Sequence, residues 1–133
     1  PKVYIYSEKQ FRLGSNVAKP LVVIKPTQGS SEGGFGRLVV AGDIDMDGYG
    51  DLIIADISTV YAFRGGPSFL KRSSIIADQD ADLIIDLDVN EEIVGICLQD
   101  IDKDDEPELI ISTKIYQQAD GKPKEQTYIL VIS

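Results

Sequence analysis

The chain has no histidine and no tryptophan, one cysteine, one methionine, and only 13 Lys and Arg against 22 Asp and Glu. Without histidine, Ser-His-Asp and Cys-His catalysis cannot be assembled within this chain, nor can His-ligated zinc sites. One cysteine forms no intrachain disulfide. Cys97 lies in the apolar run Ile96-Cys97-Leu98, which predicts a buried, inert thiol. A net charge of −9 and a pI of about 4.4 argue against nucleic acid and against anionic membrane surfaces, because both need clustered Lys and Arg. No apolar run is long enough to span a bilayer, so no membrane insertion is expected of this segment. No basic stretch followed by an apolar one opens the chain as a signal peptide would. It starts abruptly at a strand-like run, Val3 to Tyr6, which suggests a piece of a longer protein.

What is present is a succession of short apolar runs, and apolar residues make up 43% of the chain. The runs are Val3 to Tyr6, Leu21 to Ile24, Leu38 to Ala41, Leu52 to Ala55, Val60 to Phe63, Leu83 to Ile85, Val94 to Leu98, Leu109 to Ile111 and Tyr128 to Ile132. Most are β-branched or aromatic, and Gly, Pro, Asp or Ser clusters separate them. No helical stripe is sustained. The pattern predicts an all-β chain of about nine short strands.

The runs also repeat. Val3-Tyr4-Ile5-Tyr6 returns as Val60-Tyr61-Ala62-Phe63, 57 residues on. Asp43-Ile44-Asp45 returns as Asp100-Ile101-Asp102, and Asp51-Leu52-Ile53-Ile54 as Glu108-Leu109-Ile110-Ile111, at the same offset. The next aromatic strand comes late, at Tyr128, behind an insertion that includes Ala119-Asp120-Gly121-Lys122, where Asp-Gly reads as a hairpin tip. A period of this size with about four strands is that of a β-propeller blade. The expected division of residues 1–133 is a partial blade (1–28), a full blade (29–90) and a nearly full blade (91–133). Such a fragment of two and a half four-stranded blades cannot close a ring. Further blades, from a parent chain or from assembly, are expected to complete it.

The central motif is Asp43-Ile44-Asp45-Met46-Asp47-Gly48-Tyr49-Gly50-Asp51. Ca²⁺ takes six to eight oxygens, and alternating carboxylates in a tight loop supply them. Asp43, Asp45 and Asp47 are expected as ligands, with the Tyr49 carbonyl and with Asp51 closing the loop. Gly48 permits the turn. An EF-hand needs Glu at position 12 between helices. Here position 12 is Ile54, within a strand, so the motif reads as a calcium loop in a β-hairpin. Its copy offers Asp100, Asp102, Asp104, the Glu106 carbonyl and Glu108, with Asp105 in place of Gly48. Asp tolerates left-handed backbone better than most residues. Two Ca²⁺ would bring the formal charge from −9 to −5. Asp78, Asp80, Asp82 and Asp86 share the spacing, but Leu83-Ile84-Ile85 belongs to a strand, so a solvated acidic edge is expected there.

Residues Gly34 to Ala55, with Phe35-Gly36 before the acidic loop and an apolar strand after it, resemble the FG-GAP repeat of integrin α-subunit β-propellers. Val60-Tyr61-Ala62-Phe63 matches that family's later strand. Departures are Ala55-Asp56-Ile57 where the family has Gly-Ala-Pro, and Glu92-Ile93 where the third blade should have Phe-Gly. The resemblance implies a seven-bladed propeller, structural calcium between the first two strands of a blade, and an extracellular or cell-surface location. It implies a non-catalytic role in adhesion or protein recognition, with a protein or glycan ligand. The alternative is an accessory domain of a larger secreted enzyme, such as a phospholipase or a polysaccharide-degrading enzyme. Tyr4, Tyr6, Tyr61, Phe63 and Tyr128 are expected as core or inter-blade packing rather than a sugar platform. There is no Arg-Gly-Asp and no Asn-x-Ser/Thr sequon.

Overall fold

The computed structural model describes residues 1–12, 19–27, 34–88, 90–116 and 123–130. The chain is mostly β-strand, as its short β-branched runs dictate. In order the elements are β1 (Val3–Ile5), α1 (Glu8–Arg12), β2 (Val22–Lys25), β3 (Leu38–Gly42), β4 (Asp51–Ala55), β5 (Thr59–Phe63), a 3-10 turn (Phe69–Lys71), β6 (Ser74–Ile76), α2 (Ala77–Asp80), β7 (Leu83–Asp86), β8 (Glu91–Gln99), β9 (Glu108–Tyr116) and β10 (Pro123–Leu130). The last three strands are longer than the four or five residues that the apolar runs suggest. β6 and the two short helices are not marked by any apolar run.

The strands form three sheets: β1-β2-β6, β3-β4-β5-β7 and β10-β9-β8. The middle sheet is antiparallel throughout; local connections join β3 to β4 and β4 to β5, and a longer excursion joins β5 to β7. Between β4 and β5, the Asp56 carboxylate accepts from the backbone N–H groups of Ser58 (2.9 Å) and Thr59 (3.0 Å), an Asx turn that closes the hairpin.

The 57-residue repeat reappears as strand register. Gly42 pairs with Asp51 and Ala41 with Leu52; 57 residues on, Gln99 pairs with Glu108 and Leu98 with Leu109. Ile54 pairs with Tyr61, and its counterpart Ile111 pairs with Tyr128. The late arrival of Tyr128 is thus absorbed by a longer β9–β10 hairpin, which keeps the inner pairing unchanged. The Asp120-Gly121 tip lies outside the described residues. The β1–β2 hairpin repeats β5–β7: Val3 pairs with Ile24 and Tyr4 with Val23, as Val60 pairs with Ile85 and Tyr61 with Ile84.

Two apolar cores separate the sheets. Val22, Ile24, Val3 and Ile5 of the first sheet meet Leu52, Ile54, Tyr61 and Phe63 of the middle one, with Phe35 and Ile75 filling in. On its other face the middle sheet offers Ile53, Ala55, Val60 and Val40 to Ile93, Leu109 and Ile111 of the third. Strand alternation explains this: β4 sends Ile54 to one side and Ile53 with Ala55 to the other, and all three are fully buried. Phe35 lies edge-on to Tyr61, with ring centroids 5.8 Å apart. A Cβ on the following Gly36 would stand 2.7 Å from Val3 Cγ2, so the Phe-Gly pair is a plug followed by a close approach. Two further ties join the layers. Residues of β6, in the excursion between β5 and β7, add a parallel strand to β2, with Ile24 beside Ile75. Arg37, next to β3, donates to Glu92 Oε1 (3.0 Å) and to the Ile93 carbonyl (3.1 Å) at the start of β8.

Burial corrects the expectation of a buried Cys97 and divides the aromatics between core and outer face. Cys97 is exposed, because β8 directs Ile96 and Leu98 into the core and Cys97 away from it. Tyr61 and Phe63 are core residues, but Tyr4 and Tyr6 stand 49% and 43% exposed on the outer side of the first sheet. No described helix is long and apolar enough to cross a membrane.

Candidate metal centre

Both acidic motifs form the connection of a β-hairpin, Asp43–Gly50 between β3 and β4 and Asp100–Pro107 between β8 and β9. Their backbones turn left-handed at the same two positions. Met46 and Lys103 have φ of 59° and 63°; Gly48 and Asp105 have 90° and 72°. Asp105 therefore adopts the left-handed conformation that Gly48 reaches at no steric cost, at a cost of about 1 kcal/mol or more. The left-handed residue at the fourth position, Met46 or Lys103, has no sequence signal.

The same carboxylates organise each loop. Asp43 accepts from the backbone N–H of Asp47 (3.1 Å) and Gly48 (2.8 Å); Asp100 accepts from Asp104 (3.2 Å) and Asp105 (3.0 Å). Asp47 accepts from Tyr49 (2.9 Å), as Asp104 does from Glu106 (2.8 Å). The first residue of each return strand is buried and reaches back across the loop: Asp51 Oδ2 accepts from Ile44 N (2.8 Å) and Glu108 Oε2 from Ile101 N (2.7 Å). The extra methylene of Glu108 leaves that closing bond intact. These bonds let a tight loop hold several like charges, each carboxylate being partly stabilised by N–H dipoles.

The loops differ in how far they gather their acids. Asp100, Asp102, Asp104 and Glu108 bring oxygens within 4.8 Å of one another; in the first loop Asp43, Asp45 and Asp51 do so, and Asp47 lies outside the group. Among the described residues no other site gathers three or more such groups. Tyr49 and Glu106 lie in the loops at the expected positions, and both side chains are exposed. Asp78, Asp80, Asp82 and Asp86 are not brought together. Asp80 accepts from Ile76 N (2.7 Å), Asp82 from Arg64 N (2.7 Å) and Asp86 from Thr59 Oγ1 (2.9 Å), along the edge strand β7 and its approach.

Crowding is visible in Asp102, whose carboxyl is raised above 3.8. Lost hydration is the main cause, followed by the charge of Asp104, with Glu108 adding to it; the backbone N–H of Asp104 pulls the other way. The folded chain therefore holds this proton more tightly than the unfolded one. Metal-free stability from this group is complete below 3.8 and is lost as pH rises through the raised value. Asp102→Asn is expected to raise the melting temperature of the chelated protein at neutral pH and to flatten its gain on acidification. Thermal melts from pH 3 to 7 in chelator check this; a lower melting temperature for the variant would contradict it.

Two residues at the first loop lie beyond its nine-residue span. Arg64 Nε stands 2.9 Å from Asp45 Oδ2, and both residues line a cavity of about 380 Å³ beside the loop. Gly65 N donates to Asp51 Oδ1 (2.8 Å). A Cβ on Gly65 would fall 2.0 Å from the Gly50 carbonyl oxygen, so β5 can end against the loop only with glycine there. Gly65→Ala is expected to cost about 1–3 kcal/mol by overpacking. It should weaken metal binding at the first loop and spare the second, which titration calorimetry would resolve. Neither residue has a sequence signal, because its role comes from the end of β5 meeting the turn between β3 and β4.

Comparison with protein families, curated proteins and solved structures finds no match to this chain.

Proposed function

We propose that this chain is a non-catalytic, calcium-stabilised segment of an FG-GAP-like β-propeller, serving adhesion or protein recognition at the cell surface or outside the cell. One observation carries the reading: two acidic hairpin loops, 57 residues apart, share their strand register, their left-handed positions and their internal hydrogen bonds. Like carboxylates crowded within 4.8 Å repel unless a cation joins them. The donors are all oxygens, which suits a hard cation such as Ca²⁺ over soft or imidazole-preferring metals. Asp43, Asp45, Asp47, Asp51 and the Tyr49 carbonyl would serve one ion. Asp100, Asp102, Asp104, Glu108 and the Glu106 carbonyl would serve the other. Bound calcium supplies charge neutralisation, and the residues themselves hold the hairpin ends in place. The three stacked sheets support the division into blades 1–28, 29–90 and 91–133, with further blades or assembly covering the outer faces. Calorimetric titration with Ca²⁺ tests the reading: one or two sites with a chelator-sensitive melting shift support it, and no heat with no shift overturns it.

A further inference from the structure

The two outermost sheets each leave open a face whose counterpart in the middle sheet is covered. On the first sheet, Tyr4 pairs with Val23, and cross-strand partners share a face. Tyr6 and Leu21 follow two residues along, so Tyr4, Tyr6, Leu21 and Val23 form one apolar patch. The Tyr4 and Tyr6 rings lie 6.5 Å apart. By the repeat, Tyr4 and Tyr6 are the counterparts of Tyr61 and Phe63. Those two are 9% and 1% exposed because the first sheet covers them. Identical positions with the same kind of side chain are thus core in one sheet and surface in the other.

The surface that such aromatics pack on is also defined. In the middle sheet the opposite face, Val40, Ile53 and Ala55, lies against the third sheet. Its counterparts on the third sheet are Cys97, Ile110 and Ser112. Cys97 pairs with Ile110, and the neighbours Leu98 and Leu109 point into the core, so this face looks outward. It carries Cys97 in place of Val40 and Ser112 in place of Ala55, with Ile110 between them in place of Ile53. Shifting the chain by one repeat therefore places the Tyr4 face on the Ile110 face.

We infer that the chain binds a second copy of itself head to tail, with the Tyr4–Tyr6 face of one copy on the Cys97–Ile110 face of the next. The contact continues the stacking already present between the three sheets, and its aromatic anchors are of the kind that dominate interface energetics. It is heterologous, so it leaves one free face at each end and permits growth beyond a dimer. It depends on the repeat and not on bound calcium.

Sedimentation velocity over a roughly hundredfold range of concentration, in chelator and in calcium, reads the association directly. The mean mass should rise with concentration in both. Tyr6→Glu and Ile110→Glu should each sediment as monomers. Their equimolar mixture should form a dimer and stop there, because one Tyr6 face and one Ile110 face remain intact. Leu70→Glu, on the exposed 3-10 turn, should associate like the parent chain. A chain that stays monomeric at every concentration overturns the inference. So does an Ile110→Glu variant that still dimerises alone, which would mean like faces meeting. Circular dichroism of each variant confirms that it is folded.

Discussion

Chelation of calcium is expected to lower the melting temperature by about 10 °C for each site that is saturated. A ligand at a hundred times its Kd stabilises the native state by about 2.7 kcal/mol. In a domain of this size each kcal/mol moves the melting point by roughly 4 °C. The effect has a definite origin in the loops. Without metal, Asp102 is pushed toward protonation by lost hydration and, after it, by the charge of Asp104, a cost that the folded loop bears and the unfolded chain relieves. With metal, the same crowding becomes the binding energy. Asp45→Asn and Asp102→Asn separate the two loops. Each should remove about half of the chelator-sensitive shift, and together they should remove nearly all of it. The sign reversal is diagnostic for Asp102→Asn, which should stabilise the chelated chain and destabilise the calcium-loaded one. If the parent chain melts identically with and without chelator, the loops are acidic turns and no more.

The second large effect concerns Phe63. It ends β5, pairs with Leu52 and is 1% exposed among Val22, Ile24, Ile54 and Ile75. Phe63→Ala removes an aromatic ring from a site closed by two sheets, which costs about 3–5 kcal/mol. That is a large share of the roughly 5–15 kcal/mol that holds a domain together. Urea denaturation should show a strong fall in midpoint with little change in slope. The repeat supplies an internal control. Tyr6 is the counterpart of Phe63, but it lies on the outer face, so Tyr6→Ala in dilute protein should stay within about 0.5 kcal/mol. Equal effects at the two positions would contradict the layered arrangement.

Much of the site was legible in the residue order. Alternating carboxylates with a glycine between β-branched runs point to a hairpin loop, since strands on either side can pair to satisfy their backbones. The repeat was legible because matching spacing produces matching register: Gly42 with Asp51 and Gln99 with Glu108 are the same pairing. The insertion before Tyr128 blurred the period in sequence but not in space, since lengthening a hairpin at its tip leaves the inner pairs where they were.

Other features were not legible, for one physical reason. Alternation along a strand states which residues share a face, but it does not state which face another sheet will cover. Tyr61 and Tyr4 have the same local pattern, and only the neighbour beyond each sheet makes one core and the other surface. Cys97 is exposed on the same ground, despite its apolar flanks. The contacts of Arg64 with Asp45 and of Gly65 with Gly50 and Asp51 join the end of β5 to the turn between β3 and β4. The addition of β6 to β2 joins segments about fifty residues apart. The turn of the acidic loop at Asp43 to Asp51 was determined by its own residues, since the hydrogen bonds made within it span seven positions or fewer. What stands beside its carboxylates, Arg64 at Asp45 and Gly65 at Asp51, was decided by tertiary packing, because those neighbours arrive from the end of β5.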